Sequence, residues 1–292
     1  MSSPPTSAGW DHLISRAPLP GACPRTAADV VRHNRAVESA KEHVLDGGNV
    51  AGAVVRIGQT VRKPPGPQTP AVEALLAHFQ AAGFAGAPRT LGRDNRGRHV
   101  PEFVPGRMAI DMPPLNTGGL RRVGQLIREL HDKSEGFNPP PDARWQVVIP
   151  PDRCGLICHH DLGPWNLVIG ADRWVFIDWD GAGPGSRLWD LAYAATGFVP
   201  FGSGGDPATD GPRLRALADG YRLSASQRRE LPPLIGAHTR AMFELLRRSS
   251  LTGEQPWARL YAEGHGGYWG SAADYVECNL GTWTQALISP QE

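Results

Sequence analysis

The sequence has few cysteines, almost no excess of charge and no long apolar run. Four cysteines among 292 residues are too few for a disulfide framework. Thirty lysines and arginines nearly balance 29 acidic residues, so a net charge of +1 gives no reason to expect a nucleic-acid or anionic-membrane partner. The apolar stretches are strand-sized and interrupted, well short of the roughly 20 residues that cross a bilayer. We therefore expect neither a nucleic-acid nor a membrane partner.

The N-terminus also lacks the basic, apolar and small-residue order of a signal peptide. Together with the low cysteine content, this predicts a location in the reducing cytoplasm. Residues 1–9 are small, uncharged and rich in proline and serine, which predicts a disordered leader. A hydrophobic content of 40% allows the remainder to bury the core of one large domain or of two lobes.

Hydrophobic periodicity changes character near residue 105. Before it, the sequence predicts the order strand, strand, helix, strand, strand, preceded by a helical pattern. The clearest helix has Thr69 as N-cap and Pro70 at its first position, and its apolar residues follow helical spacing up to Gly83. The predicted elements are helices over 26–42 and 69–83 and strands over 53–57, 60–63, 89–92 and 99–104.

The second part of the chain is predicted to be mainly helical. One face of a helix over 117–131 is apolar, and helical periodicity returns over 212–249. Short strands are expected over 156–158, 167–169 and 174–177, around polar loops. The glycine-rich segment 264–270 is interpreted as a loop with packed aromatic residues. These patterns predict two units, over 1–104 and 105–292.

The polar residues that carry chemistry are concentrated between Cys158 and Asp190. Asp161 and Asn166 lie five positions apart on a loop that follows a predicted strand, and Asp178 ends the next hairpin. One carboxylate can then meet an incoming hydroxyl while amide and carboxylate oxygens bind a cation. Phosphoryl transfer needs these parts, together with a cationic group for the phosphates. Each residue taken singly is a common turn residue, but their combination favours a phosphotransfer site.

These residues resemble those of a known family. His159, Asp161 and Asn166 match the signature H-x-D-x-x-x-x-N of the aminoglycoside phosphotransferase and choline kinase group, within the protein-kinase-like superfamily. The segment Ile177-Asp178-Trp179-Asp180 resembles that group's counterpart of the kinase D-F-G motif, and Asp190-Leu191-Ala192 matches the motif that usually follows. Two motifs in the correct order are more specific than either alone. The resemblance covers about residues 47–200.

The resemblance implies an α+β, protein-kinase-like fold of two lobes. The small N-terminal lobe, 1–104, would hold an antiparallel sheet with one helix and bind the nucleotide. The larger helical lobe, 105–292, would carry the catalytic loop and the acceptor site. In such a protein Asp161 is the base, His159 braces the catalytic loop, and Asn166 and Asp178 bind magnesium. Phe103 and Val104, in a hinge over 102–106, are assigned to nucleotide binding.

The cation for the phosphates has two candidates, Lys63 and Arg62. Kinases place a lysine on the third strand and pair it with a glutamate on the next helix, here Glu73. Lys63 is preferred because it shares strand parity with Val61, whereas Arg62 should point to the other face. Gly48 and its neighbouring glycines could bring backbone amides to the phosphates, although G-x-G-x-x-G is absent.

A zinc site is an alternative interpretation of the same region. Cys154, Cys158, His159 and His160 offer thiolate and imidazole ligands at short spacing. However, no second pair follows at finger spacing, and Cys158 on an apolar strand is better explained as a small buried residue.

The predicted activity is transfer of the γ-phosphoryl group of ATP, or GTP, to a hydroxyl of a small molecule. An aminoglycoside-like antibiotic, an amino sugar or an amino alcohol would suit the resemblance, and a cationic acceptor would call for acids in the second lobe. Alternatives are a peptide Ser/Thr kinase of a biosynthetic pathway and a nucleotide-binding pseudokinase or immunity protein. Either a monomer or a homodimer is compatible with the sequence. Acidic candidates for the acceptor site are Asp180, Glu244, Glu254, Glu263 and Asp274, and Asp180 could instead be a second acid at the metal.

Overall fold

A computed structural model describes residues 42–45, 54–202 and 204–289. The chain forms two lobes, with antiparallel sheets and one helix in the first and mainly helices in the second. The leader predicted over 1–9, nearly all of the helix predicted over 26–42, and Gly48 lie outside the described residues. No helix within the described ranges is both long enough and apolar enough to cross a membrane.

The first lobe contains a three-stranded antiparallel sheet and a two-stranded hairpin. The strands β1, β2 and β3 pair in that order, β4 pairs with β5, and bridges from Thr60 to Glu102 and from Lys63 to His99 join β3 to the second hairpin. Gly58, at a φ of 59°, forms the tight turn between β2 and β3. The strands are β1 (His43–Leu45), β2 (Val54–Ile57), β3 (Thr60–Arg62), β4 (Thr90–Arg93) and β5 (His99–Pro101).

Helix α1 (Thr69–Ala81) packs an apolar face into the core through Val72, Leu75, Leu76 and Phe79. The N-cap prediction was wrong by one position, because Gln68 is the cap and Thr69 is the first helical residue. The Thr69 hydroxyl instead accepts a hydrogen bond from the backbone N–H of Gly66, which fixes the entering loop.

The second lobe joins short strands to a set of helices. The strands β6 (Arg107–Met108), β8 (Leu167–Ile169) and β9 (Trp174–Phe176) form one sheet, and β7 (Leu156–Cys158) pairs with β10 (Gly183–Gly185). The strand predicted over 174–177 ends at Phe176 in the structure, one residue before its predicted end. The helices are α2 (Thr117–Ser134), α3 (Arg187–Phe198), α4 (Pro207–Tyr221), α5 (Ala225–Thr252), α6 (Trp257–Leu260), α7 (Gly266–Cys278) and α8 (Leu280–Ile288).

Two glycines allow α2 and α4 to cross at close range. A Cβ on Gly124 would lie 2.1 Å from the carbonyl oxygen of Leu217, and one on Gly220 would lie 2.0 Å from that of Arg121. Both positions therefore have no room for a side chain. Near the end of α2, His131 contacts Tyr221 at the end of α4.

The loop predicted over 264–270 was wrong, because most of this segment is helical. A π-helical turn, Tyr261–His265, ends near Gly264 at a φ of 104°, and α7 begins at Gly266. A Cβ on Gly266 would lie 2.3 Å from the Tyr261 ring, so this glycine leaves room for a packed aromatic ring. Gly266 therefore serves packing, whereas Gly264 supplies the positive φ near the end of the π-helical turn.

The lobes are joined at the segment that follows β5. Glu102 is buried and accepts hydrogen bonds from Arg89 of the first lobe, at 2.6 Å, and from Arg173 of the β8–β9 turn. Burial would raise the pKa of Glu102, but these two guanidinium groups outweigh it and lower the pKa below its ordinary value. Val104 packs on Val168 of β8. The division of the chain at 104/105 stays a prediction.

Candidate active site

The catalytic loop runs from the end of β7 to the start of β8, and Asp161 lies at its centre. One carboxylate oxygen of Asp161, Oδ1, accepts hydrogen bonds from the indole N–H of Trp165 at 2.9 Å and the hydroxyl of Tyr193 at 2.8 Å. The other oxygen, Oδ2, accepts one from the side-chain amide of Asn166 at 2.8 Å. The carboxylate is therefore fixed in place by three donors.

His159 braces this loop from below. Its ring is fully buried, its Nε2 lies 3.0 Å from the carbonyl oxygen of Ile177, and its Nδ1 lies 3.2 Å from the backbone nitrogen of Asp161. Since the backbone N–H must donate, Nδ1 accepts and the Nε2–H donates. Burial lowers the pKa of His159, which favours this neutral form. The ring touches the loop and not the open side of Asp161.

Asp190, the first residue of the third motif, holds the backbone of the loop. It is buried on α3 and accepts hydrogen bonds from the backbone N–H groups of His159 and His160. Its carboxylate also lies 3.0 Å from Nε2 of His131 on α2, whose Nδ1 lies 2.8 Å from the Tyr221 hydroxyl. Burial alone would raise the pKa of Asp190, but His131 and its other partners lower it strongly. His131 was not identified from the sequence.

Asp178 is brought beside Asn166 by the β8–β9 hairpin. Leu167 pairs with Phe176, and the backbone N–H of Ile177 donates to the carbonyl of Asn166, so the two polar residues flank the same end of the hairpin. Asp178 has a φ of 61°, a left-handed conformation that is uncommon for residues other than glycine. This backbone geometry turns the chain sharply at the site.

Lys63 crosses from the first lobe to this carboxylate. Its ammonium nitrogen lies 2.6 Å from Asp178 and 2.8 Å from Asp180, and its side chain is 13% exposed. Burial would lower the pKa of Lys63, but the two carboxylates outweigh it and raise the pKa. Desolvation would likewise raise the pKa of Asp178, but Lys63 outweighs it and lowers the pKa. The structure places Asp180 at this lysine.

Arg62 and Glu73 are placed elsewhere. The Arg62 side chain is 5% exposed and lies 3.4 Å from Asp94, on the opposite face of the strand from Lys63. Glu73 binds Arg93 through hydrogen bonds of 2.9 to 3.1 Å, so the expected pair with Lys63 was wrong. The reason is that β4 carries an arginine past α1, whereas Lys63 meets two acids of the second lobe.

Of the two hinge residues assigned to the nucleotide, Phe103 contacts the first lobe and Val104 packs on the sheet of the second. Val104 packs with Val168 and Val175 beneath the hinge. The backbone N–H of Phe103 donates to Gln59, and its ring lies 3.6 Å from the guanidinium carbon of Arg56. Their roles in nucleotide binding stay predictions.

The acids proposed for the acceptor site make local contacts. Glu244 binds Arg247 at 2.7 Å, Glu263 binds Arg259 at 3.1 Å, and Asp274 binds Arg240 at 2.6 Å. Glu254 lies 3.4 Å from the Ser249 hydroxyl. The structure does not bring these acids together with Asp161; three of them are paired with arginines on helix surfaces.

Aromatic side chains cluster around the carboxylate of Asp161. Tyr193 stacks on Trp269 of α7 at 6.0 Å with an interplanar angle of 5°, and meets Trp165 edge to face. Sequence spacing offered one signal for this cluster, since Tyr193 lies three positions after Asp190 and hence on the same face of α3.

The zinc interpretation has no support in the geometry. Cys154 is exposed, whereas the buried thiol of Cys158 lies 3.5 Å from the carbonyl oxygen of Ser186. His160 turns its Nε2 to the carbonyl oxygens of Gly183 and Pro184. The four predicted ligands therefore do not converge.

A two-lobed fold with these residues in its cleft defines a kinase-like class of protein. Residues 58–229, more than half of the chain, match the phosphotransferase enzyme family APH, and the chain belongs to that family. The resemblance identified from the sequence is thus confirmed. The chain is also 32% identical over 206 residues to the trifolitoxin immunity protein of Rhizobium leguminosarum bv. trifolii, a match covering 64% of this chain and 76% of that protein.

Solved structures agree on the fold. A microcompartment-associated aminopropanol kinase is 18% identical with a TM-score of 0.61, covering 88% of this chain and 100% of that one. Amicoumacin kinase, in complex with AMP-PNP, Ca²⁺ and Ami, is 13% identical with a TM-score of 0.62, covering 85% and 94%. The predicted kinase-like α+β fold is confirmed.

Proposed function

We propose that the protein transfers the γ-phosphoryl group of ATP to a hydroxyl of a small molecule in a magnesium-dependent reaction. The observation that carries this proposal is the meeting of Lys63 with Asp178 beside the Asp161–Asn166 pair. A cation for phosphates, oxygen ligands for a metal and a fixed carboxylate then share one cleft. These are the parts that phosphoryl transfer requires.

The residues present fit a magnesium ion. The Asn166 amide nitrogen donates to both the side chain and the backbone carbonyl of Asp161, which leaves the amide oxygen for a cation. Asp178 adds a charged oxygen, and Mg²⁺ prefers such oxygen ligands. The bound ion would neutralise charge on the phosphates. Lys63 would bind phosphate oxygens, and Asp161 would orient the acceptor hydroxyl and take its proton.

The ion pairs made by the acidic candidates limit the kind of acceptor that these acids could bind. Glu244, Glu263 and Asp274 are each neutralised by an arginine, which gives no support to a polycationic acceptor bound through them. The aromatic rings beside Asp161 suit an acceptor with apolar surface or a single cationic group. An amino alcohol or an antibiotic with few amines fits this surface. We further propose a cytoplasmic location and a monomer or homodimer.

The test is nucleotide turnover with and without magnesium, using ATP and GTP in parallel. Purified protein is assayed against amino alcohols, amino sugars, aminoglycosides and nucleosides, and products are checked by mass for one added phosphate. Acceptor-stimulated ADP formation that Asp161→Asn abolishes would support the proposal. Absence of magnesium-dependent nucleotide binding would refute it.

Immunity to a toxin is a second candidate role, supported by the similarity to the trifolitoxin immunity protein. Phosphorylation and sequestration of a toxin are separated by expressing the wild type or Asp161→Asn in sensitive cells and exposing them to trifolitoxin. Protection by the wild type alone indicates phosphotransfer, and equal protection by both indicates binding without transfer. Protection by neither excludes this role against that toxin.

A further inference from the structure

The two carboxylate oxygens of Asp161 accept different numbers of hydrogen bonds, and this difference matters for the phosphoryl transfer proposed above. A carboxylate can accept about two hydrogen bonds at each oxygen. Oδ1 already accepts two, from Trp165 and Tyr193, whereas Oδ2 accepts one, from Asn166. Among the described residues, the remaining accepting position therefore belongs to Oδ2.

Resting on the proposed function, we propose that Trp165 and Tyr193 are positioning residues that occupy Oδ1 of Asp161 and so reserve Oδ2 for the acceptor hydroxyl. In the transfer step the acceptor oxygen forms its bond to the γ-phosphorus as the bond from that phosphorus to the bridging oxygen of ADP breaks. The hydroxyl proton passes to Oδ2 and from there to solvent. Oδ1 keeps both donors throughout.

The Tyr193 side of the clamp is held by α3. Tyr193 is 5% exposed and lies three residues after Asp190, so the same helix face holds the loop backbone and the base. Its ring is fixed by the stack on Trp269. Burial, and then the neighbouring charge of Asp161, raises the pKa of Tyr193 well above its ordinary value. This shift favours the protonated hydroxyl, the form that donates to Asp161.

The Trp165 side is held by a glycine. A Cβ on Gly163 would lie 2.2 Å and 2.3 Å from two atoms of the Trp165 indole, so the ring folds over a position that only glycine leaves open. Gly197 of α3 similarly brings its backbone near, because a Cβ there would lie 3.3 Å from the same indole. Displacing the indole would break its bond to Asp161.

The probe for the test is water as phosphoryl acceptor, measured as magnesium-dependent ATP hydrolysis. Tyr193→Phe and Trp165→Phe each keep an aromatic ring and remove one donor. We expect each to lower kcat about tenfold, with the KM for ATP within about twofold, since one hydrogen bond to a charged group is lost. Gly163→Ala should reproduce the effect of Trp165→Phe.

The matched control is Tyr275→Phe. Tyr275 donates to Asp210 at 2.9 Å, a bond of the same type and length outside the site. This variant should keep both kcat and the KM for ATP. If hydrolysis depends on Asp161 but Tyr193→Phe behaves like Tyr275→Phe, the clamp is refuted while the proposed function stands. If no hydrolysis depends on Asp161, the proposed function fails and the inference fails with it.

An NMR measurement tests the clamp without turnover and therefore complements the kinetic test if one of its variants folds poorly. The indole ¹H–¹⁵N signal of Trp165, assigned by its loss in Trp165→Phe, reports the hydrogen bond to Oδ1. We expect this signal to shift in Asp161→Asn and not in Tyr275→Phe. An unmoved signal in Asp161→Asn would overturn the clamp.

Discussion

The ammonium nitrogen of Lys63 lies 2.6 Å from a carboxylate oxygen of Asp178, although 115 positions separate the two residues in the chain. This contact ties the sheet of the first lobe to the end of the β8–β9 hairpin. With Glu73 bound to Arg93, Lys63 has carboxylates of the second lobe as its partners. The charges that would meet phosphates are therefore held in place from both sides of the cleft.

Neighbouring substitutions in β3 should separate nucleotide binding from stability. Lys63→Met should weaken magnesium-ATP binding about tenfold or more and lower turnover about 100-fold, because a preorganised cation is lost. Arg62→Met should leave nucleotide affinity unchanged and lower the free energy of unfolding by about 1–3 kcal/mol, because Asp94 loses one of its partners. Calorimetric titration and urea denaturation measure the two effects. The reverse assignment would show Arg62 to be the phosphate ligand.

Removal of the charge of Asp161 should strongly lower turnover and leave nucleotide binding intact. Asp161→Asn keeps the size of the side chain and removes its charge, so we expect turnover to fall about 100- to 10,000-fold, the usual contribution of general base catalysis. Nucleotide affinity should change little. The matched control Asp142→Asn makes the same change at an exposed position and should be fully active. Substantial activity in Asp161→Asn would assign the base elsewhere.

Acid should destabilise the protein through a buried histidine. His238 packs between the rings of Trp189 and Tyr193, and burial lowers its pKa from 6.5 to about 4. The unfolded chain therefore binds more protons between these two values, so the free energy of unfolding falls as pH decreases through this window. The contribution of His238 is on the order of 3 kcal/mol.

His238→Phe should reduce this loss, since its Nδ1 is buried without a hydrogen-bond partner and a phenyl ring has no proton to gain. Urea denaturation of both proteins at pH 7 and pH 5 measures the difference. Some acid sensitivity should remain, because burial also lowers the pKa values of His99 and His159. Equal pH dependence of the two proteins would contradict the prediction.

The crossing of α2 and α4 should not tolerate a methyl group. Gly124→Ala places a Cβ 2.1 Å from the Leu217 carbonyl oxygen, and we expect a loss of about 1–3 kcal/mol from overpacking. Gly281→Ala, in α8, meets no atom within 4 Å and should be neutral or stabilising by up to about 1 kcal/mol. Thermal unfolding compares the two. A stable Gly124→Ala variant would show that the helices can separate at little cost.

The fold could be predicted, and a cluster of polar residues could be expected, because their signals are local. Asp161, Asn166 and Asp178 stand in short motifs between apolar strands, and the periodicity of α1 and α2 marks their buried faces. The order of elements on either side of residue 105 follows from these patterns. Sequence spacing suffices when the partners of a residue lie within a few positions of it.

The partners of these residues could not be predicted, because folding chooses them over long distances. Tyr193 lies 32 positions from Asp161, and His131 lies 59 positions from Asp190. Glu73 was expected to pair with Lys63, but the path of β4 brings Arg93 to it instead. The glycines of 264–270 suggested a loop, because the close contacts of Gly266 with Tyr261 and of Gly270 with Phe243 become visible only when the partner rings are in place.

The carboxylate of Glu102 forms ion pairs with Arg89 of one lobe and with Arg173 of the other, so both lobes are bound to the same buried group. A rotation of either lobe about this point keeps both ion pairs, whereas a sliding movement would pull one arginine away. A relative movement of the lobes that keeps both ion pairs is therefore a rotation about this buried carboxylate.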